Sequence, residues 1–328
     1  MGLKNVSTIL FIVFTTCTLF AQDSIPEVIY LKQTEYKELF PNRITARLFY
    51  VNTSNSLELK DRNSDLFFKL NPNKQNRIGA SVSFRSLTIS YSFAPDFLSV
   101  NKDNDDSKLF NLNLRQYFGK HWMQTLDVFS EKGFYLSDGS NWTYFPKFKN
   151  FKIGGSTSYI WNENFSFRAI VSQDEKQLKS VGSFIPRFVY YYSKFSLKTE
   201  DNFLDSDYYT FDIAFAPSYY YNFVPTKNLF ISAGASVGMG LNYSTSADES
   251  VFSLLTELNF RGAITYDIND LYLGADYSYL ILNHNTDRET YVKDDIPFFQ
   301  IFLGYRFKAP KKLVYKTEEL NKKIKLKK

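Results

Sequence analysis

His121 and His284 are the two imidazoles of the chain, and imidazole is the side chain that most often moves protons near neutral pH. His284 lies in a polar stretch with Asp287, Asp294 and Asp295. A His–Asp pair with one of the many serines could serve a hydrolase, but the spacing matches no nucleophile–base pattern. His121 stands beside Trp122 in a tight turn and reads as an interfacial residue. The run "NKDNDD", with Asp103, Asp105 and Asp106, has the oxygen spacing of a calcium loop but lacks its glycine and distal glutamate. A solvated loop is the plainer reading, and calcium bridging to lipopolysaccharide is the alternative. No catalytic residue, cofactor or metal site is therefore assigned, and the expectation is a protein that is not an enzyme.

A larger constellation is spread along the chain. Arg47, Arg85, Arg115, Arg168, Arg261 and Arg306 share the small-residue side of alternating segments with Asp127, Asp212, Glu257 and Asp276. Charges in an interior of low dielectric must pair or be hydrated. Two readings follow. In one, a salt-bridged network closes a narrow barrel. In the other, the same groups line a small, water-filled, weakly anion-preferring pore.

The elements that must position these groups are long strands. In "LFISAGASVGMGLNYS" (229–244), Leu229, Ile231, Ala233, Ala235, Val237, Met239, Leu241 and Tyr243 alternate with residues that are glycine, serine or asparagine after Phe230. Period two means a strand with two unlike faces. Lipid suits the greasy face, and a narrow interior suits the bare one. The same alternation recurs in "YYTFDIAFAPSYYYNF", at 252–267, at 271–281 and in "FFQIFLGYRF". In these, the charges fall on one face and aromatics on the other, as an interfacial girdle requires. Upstream, "RITARLFYV", "SLELKD", "DLFFKL", "RIGASVSFR", "SLTISYSF", "LFNLNLRQYF", "WMQTLDVF" and "FKIGGSTSYIW" read as strands, as does "FSFRAIV" after a turn at Asn162–Asn164. Short turns alternate with longer polar loops, but the strand parity fails to close near 174–210.

Composition fits this reading. Aromatics make up 18% of the chain, with Phe 33 and Tyr 24, more than a globular core of this length needs. Mean hydropathy is only -0.30, as expected when lipid meets every second residue. Lys4, the run "STILFIVFTTCTLF" and "LFAQ" read as a signal peptide over 1–21. Cys17 is the one cysteine, so residues after the signal offer no disulfide or thiolate metal site. Residues 22–42 read as a periplasmic lead-in, 43–307 as the barrel and 308–328 as a basic periplasmic tail. That tail holds nine lysines against two glutamates, which with Lys4 exceeds the chain's net +5, so 22–307 is net acidic. A nucleic-acid partner is not expected. The expected partners are outer-membrane lipids, lipopolysaccharide and the barrel-assembly machinery, with anionic lipid or another envelope polymer for the tail.

Four stretches carry a family resemblance: "EYKELFPNRITARLFYV", "FKLNPNKQNRIGASVSFRSLTISYSF", "FSFRAIVSQDEKQLKSVGSF" and "FFQIFLGYRFKAP". From about Tyr30 to Pro310 the chain resembles an outer-membrane β-barrel family classed as domain of unknown function 4421. The resemblance implies an exported barrel in the bacterial outer membrane and supplies no activity. The fold expected is all-β, a single antiparallel transmembrane β-barrel of roughly 12 strands, about 10–14 and even in number. The function expected is structural or passive transport. A small anion-preferring pore, a lipid-modifying or hydrolytic enzyme, and a secreted soluble barrel or sandwich are the alternatives.

Overall fold

The computed structural model describes residues 34–326, apart from 41, 54–55, 62–66, 74, 86, 99–106, 138–140, 172–173, 199–205, 246–249 and 286–289. The expected signal peptide, the acidic run with Asp103, Asp105 and Asp106, and Asp287 all lie outside the described residues. In chain order the strands are β1 (Lys37–Leu39), β2 (Arg43–Thr53), β3 (Ser56–Asp61), β4 (Phe67–Pro72), β5 (Asn76–Phe84), β6 (Leu87–Phe93), β7 (Lys108–Phe118), β8 (Trp122–Ser137), β9 (Trp142–Tyr159), β10 (Glu175–Gln177), β11 (Val181–Ile185), β12 (Arg187–Leu197), β13 (Ser206–Phe215), β14 (Ser218–Phe223), β15 (Leu229–Thr245), β16 (Ser250–Ile268), β17 (Leu271–Asn285) and β18 (Thr290–Lys308). A single helical turn, α1 (Phe167–Ile170), precedes β10, and α2 (Lys311–Leu326) follows β18.

Antiparallel pairing runs β2–β5–β6–β7–β8–β9–β12–β13–β15–β16–β17–β18 and returns to β2. The sheet is a closed ring of about 12 wall positions, a transmembrane β-barrel. Closure leaves no unpaired edge, which is what lets a sheet cross lipid. Two wall strands are interrupted. β11 continues into β12 across Pro186, and β13 into β14 across Ala216–Pro217. Proline has no N–H for the ladder, so the two breaks fall at these prolines.

The exterior follows the alternation of the sequence. Val237, Met239 and Leu241 are 61–62% exposed, whereas Ser236, Asn242 and Ser244 between and beside them are buried. At the end where the short turns lie, Trp122, Tyr159, Trp161 and Phe184 form a chain of ring contacts at 5.0, 6.3 and 6.4 Å. His121 stacks on Tyr159 at 4.9 Å within this girdle.

The bare inner face has a steric cause. Cross-strand register sets Gly79 opposite Phe49, Gly154 opposite Tyr191, Gly234 opposite Tyr220, and Gly304 opposite Tyr272. Each inward ring lies over the glycine across from it. A Cβ on Gly234 or Gly304 would stand 2.1 Å from the facing ring. Small residues on one strand make room for a large one on the next.

The wall changes partners toward the loop end. β18 pairs β2 over its second half and β3 over its first. β8 pairs β7 as far as Lys132 and β4 from Phe134 onward. The β3–β4 hairpin thus replaces β2, β5, β6 and β7 there, and the wall loses two strands. Gly133 sits at the switch with φ +87, a left-handed conformation suited to glycine. The Asn73 side chain donates to Ser107 Oγ at 2.8 Å and the Asn73 N–H to the Gly133 carbonyl at 3.0 Å, pinning the junction.

One expected strand is not a strand. Residues 165–171, the core of "FSFRAIV", are buried without alternation, and Phe167–Ile170 form α1. Residues 160–171 leave β9 at the turn end and fold into the lumen, and residues 174–180 lead to β11. Removing this strand closes the parity, because β9 and β11 then both have their ends at the turn end. The register itself was invisible in the sequence because Phe165, Phe167, Ala169 and Val171 imitate a strand's apolar face. The lead-in joins the same body. β1 pairs β10 as a two-stranded sheet.

Candidate functional site

The lumen is built in three layers. The floor is formed by the described residues of 160–180. Its α1 is capped by Ser166, whose Oγ accepts from the Ala169 N–H at 3.0 Å and donates to Glu175 at 2.8 Å. The buried Asn222 of β14 donates to the Ser166 carbonyl and to Gln177 Oε1, both at 3.0 Å. Gln177 in turn donates to the carbonyls of Tyr36 and Asn164. Phe167, Ile170 and Val171 pack against Tyr117, Met123 and Tyr220 of the wall. Full burial of such a side chain contributes about 1.5–3 kcal/mol, so the floor is a seated layer.

Arg168 belongs to this floor. It is buried, pairs with Asp174 at 3.1 Å and Glu175 at 3.5 Å, and lies 4.3 Å over the Tyr117 ring. Burial pushes the Asp174 carboxyl up to about 6. Arg168 pulls the other way, and neighbouring Glu175 adds to the rise. Arg306 lies at the same end, paired with Asp267 at 2.7 Å and sandwiched by the Phe40 and Tyr272 rings at 4.7 and 4.5 Å. Arg85 differs from expectation: it is no inner-face residue but sits in the β5–β6 turn with φ 54, 3.6 Å from Glu318 of α2. The turn takes it off the strand's alternation.

The roof is apolar. Leu57, Leu70, Phe134, Phe148 and Val292 form one buried cluster inside the narrowed loop end, with Phe134 and Phe148 rings 4.8 Å apart.

Between floor and roof lies a chamber of about 330 Å³. Arg47, Arg115, Asp127, Asp212, Glu257, Arg261 and Asp276 all line it, as do Arg77 and Arg187, which the sequence reading did not select. Most of these groups are engaged. Glu257 pairs with Arg187 and accepts from Ser236 at 3.1 Å. Asp127 accepts from Asn113 and from the Tyr191 hydroxyl at 3.0 Å. Asp212 accepts from Asn242 at 2.6 Å. Arg47 donates to the Val171 carbonyl of the floor at 2.9 Å and stands 4.0 Å from Asp276. Arg115 and Arg261 bond none of these acids: the buried Nε of each, like that of Arg77 and Arg187, has no hydrogen-bond partner among the described residues, and Arg187 differs in its ion pair with Glu257.

His284 also changes place. It is on β17, not in a loop, buried and facing inward, opposite Val292 of β18 and so near the buried Asp294. Lys152 stands 3.8 Å from the same carboxylate. Among the described residues no group of three His, Cys, Asp or Glu is placed to hold a metal ion.

The family model described as a domain of unknown function (DUF4421) matches residues 32–307. The chain belongs to this family. The matched range takes in β1, the whole ring and the floor of this DUF4421 member. No curated protein sequence matches it. Among solved structures it is similar to the outer-membrane protease OmpT from Escherichia coli, with 6% identity, 82% of this chain and 98% of that chain covered, and a TM-score of 0.43. It is similar to an outer-membrane channel from Pseudomonas putida F1, with 8% identity, 84% and 100% covered, and a TM-score of 0.41. It is also similar to the P. putida toluene transporter TodX, with 9% identity, 84% and 91% covered, and a TM-score of 0.29. At these values the likeness is one of general barrel form and carries no activity.

Proposed function

We propose that this protein is an outer-membrane barrel of structural or passive-transport type that rests closed. The observation that carries the reading is the pair of seals. A hydrogen-bonded floor fills the turn end, an apolar cluster fills the narrowed loop end, and the charged chamber lies between them. The short turns then face the periplasm and the long loops the outside. α2, with Lys311, Lys312 and Lys316 exposed beside Leu313 and Tyr315, lies at the periplasmic end, where anionic headgroups attract it. The acyl chains of membrane lipids and lipopolysaccharide meet the apolar exterior.

The test is conductance of the purified chain in planar bilayers. Wild type stays silent at modest voltage, and Phe167→Ala with Ile170→Ala, which loosens the floor, produces openings. Steady wild-type conductance overturns the reading. A second reading, an enzyme, draws on His284, whose buried Nδ1 has no hydrogen-bond partner among the described residues, near Asp294. The pair lies level with the apolar roof, His284 opposite Val292 and Asp294 opposite Leu57, and this crowding disfavours the reading. Hydrolysis of lipid or peptide lost in His284→Ala would establish the enzyme instead.

A further inference from the structure

The unengaged arginines of the chamber call for a ligand. β7 and β16 stand on opposite sides of the closed ring, so Arg115 and Arg261 enter the chamber from facing walls. Arg47 enters from β2 between them, above the floor. The carboxylate near these three is Asp276: it is 2% exposed, its Oδ1 accepts no hydrogen bond among the described residues, and Arg47 stands 4.0 Å from it. Arg115 and Arg261 make no ion pair with it among the described residues. The chamber as a whole is lined by five arginines, Arg47, Arg77, Arg115, Arg187 and Arg261, against four carboxylates, Asp127, Asp212, Glu257 and Asp276, an excess of one positive charge. Asp127 is held by Asn113 and Tyr191, Asp212 by Asn242, and Glu257 by Arg187.

An uncompensated charge in a closed interior is costly, and water alone leaves the excess positive charge in place. Arginine's planar fork matches the oxygens of a small oxyanion two at a time. The chamber, at about 330 Å³, is at the lower end of the range for small-molecule sites. We propose that Arg115 and Arg261, with Arg47 at the side, clamp a small free oxyanion of the phosphate class in the chamber. The Phe167 ring, 5.8 Å from the Arg115 guanidinium, closes the site from below. The inference rests on the closed-barrel reading for its enclosed chamber, but it is read by binding and not by current.

The experiment is equilibrium dialysis of the folded, detergent-solubilised chain against radiolabelled inorganic phosphate at fixed ionic strength in chloride. Long incubation allows for slow passage through the seals. Wild type retains phosphate saturably at about one per chain. Arg115→Gln and Arg261→Gln each weaken retention about tenfold or more, and Lys179→Gln, outside the chamber, leaves it unchanged. Heat-modifiable gel mobility reports folding of each variant. If a glutamine variant does not fold, Arg115→Lys and Arg261→Lys keep the charge but lose the fork, and an intermediate loss is expected. No saturable retention by wild type, or equal retention by the folded variants, overturns the site. Steady conductance together with arginine-dependent retention would remove the closed reading and keep the site, and silence without retention would do the reverse.

Discussion

Val237 and Gly238 are neighbours on β15 that meet opposite surroundings. Val237 is 62% exposed on the barrel's outer face. A Cβ on Gly238 would lie 2.9 Å from Ala216 and 3.1 Å from Glu257 inside. The side-chain period of two makes this switch obligatory from one residue to the next. An arginine at position 237 would therefore meet acyl chains near the middle of the strand, at a cost of roughly 2–4 kcal/mol. Val237→Arg is expected to lower the unfolding free energy of the barrel, read by urea titration in liposomes, by that amount and its midpoint accordingly, while Val237→Ala shifts the midpoint little. Equal midpoints for the arginine and alanine variants would mean that this face does not meet lipid.

The floor is the element whose stability should respond to pH. The folded-state pKa of Asp174 is raised from 3.8 to about 6 by burial. The sign follows from linkage: a raised acid binds its proton more tightly when docked, so docking is favoured by protonation. Asp174's contribution is fully present below about pH 4 and is lost as pH rises through about 6. Amide exchange in 160–180, corrected for intrinsic rate, should show protection falling across this window. In Asp174→Asn the dependence should flatten, with Glu175 still 3.5 Å from Arg168 to hold the turn. Protection that rises from pH 4 to 6 in wild type would contradict the assignment. The junction at Gly133 should not take part, since its partners Asn73 and Ser107 carry no charge in this range.

The molecule as a whole has its apolar surface outside and its polar surface within, the reverse of a soluble protein. Leu48, Val82, Ile301 and Leu303 are each about half exposed or more on adjoining strands. Exposed apolar surface of this extent is unstable in water. The chain should therefore sediment with outer-membrane fragments, resist extraction by high salt and urea at neutral pH, and migrate faster unheated than boiled. Recovery of folded chain from the soluble periplasm without detergent would exclude a transmembrane barrel.

The amino-acid order alone determined the wall. Alternation is a local property of the strand, so the outward set from Leu229 to Tyr243, the inward glycines and the aromatic rim could be read residue by residue. What the sequence could not separate was a strand from a segment buried on all sides. Residues 165–171 carry the right spacing for a wall strand, and only Asn222, Gln177 and the lead-in at Tyr36 show them to be a floor. His284 looked like a loop residue because β17 extends farther than its apolar pattern. The chamber residues on the wall could be selected by face, but not their partners. Pairing depends on ring closure and on the β3–β4 switch at Gly133, both long-range. That Glu257 is engaged by Arg187 while Arg115 and Arg261 enter the chamber from facing walls was decided only when the first and last wall strands joined.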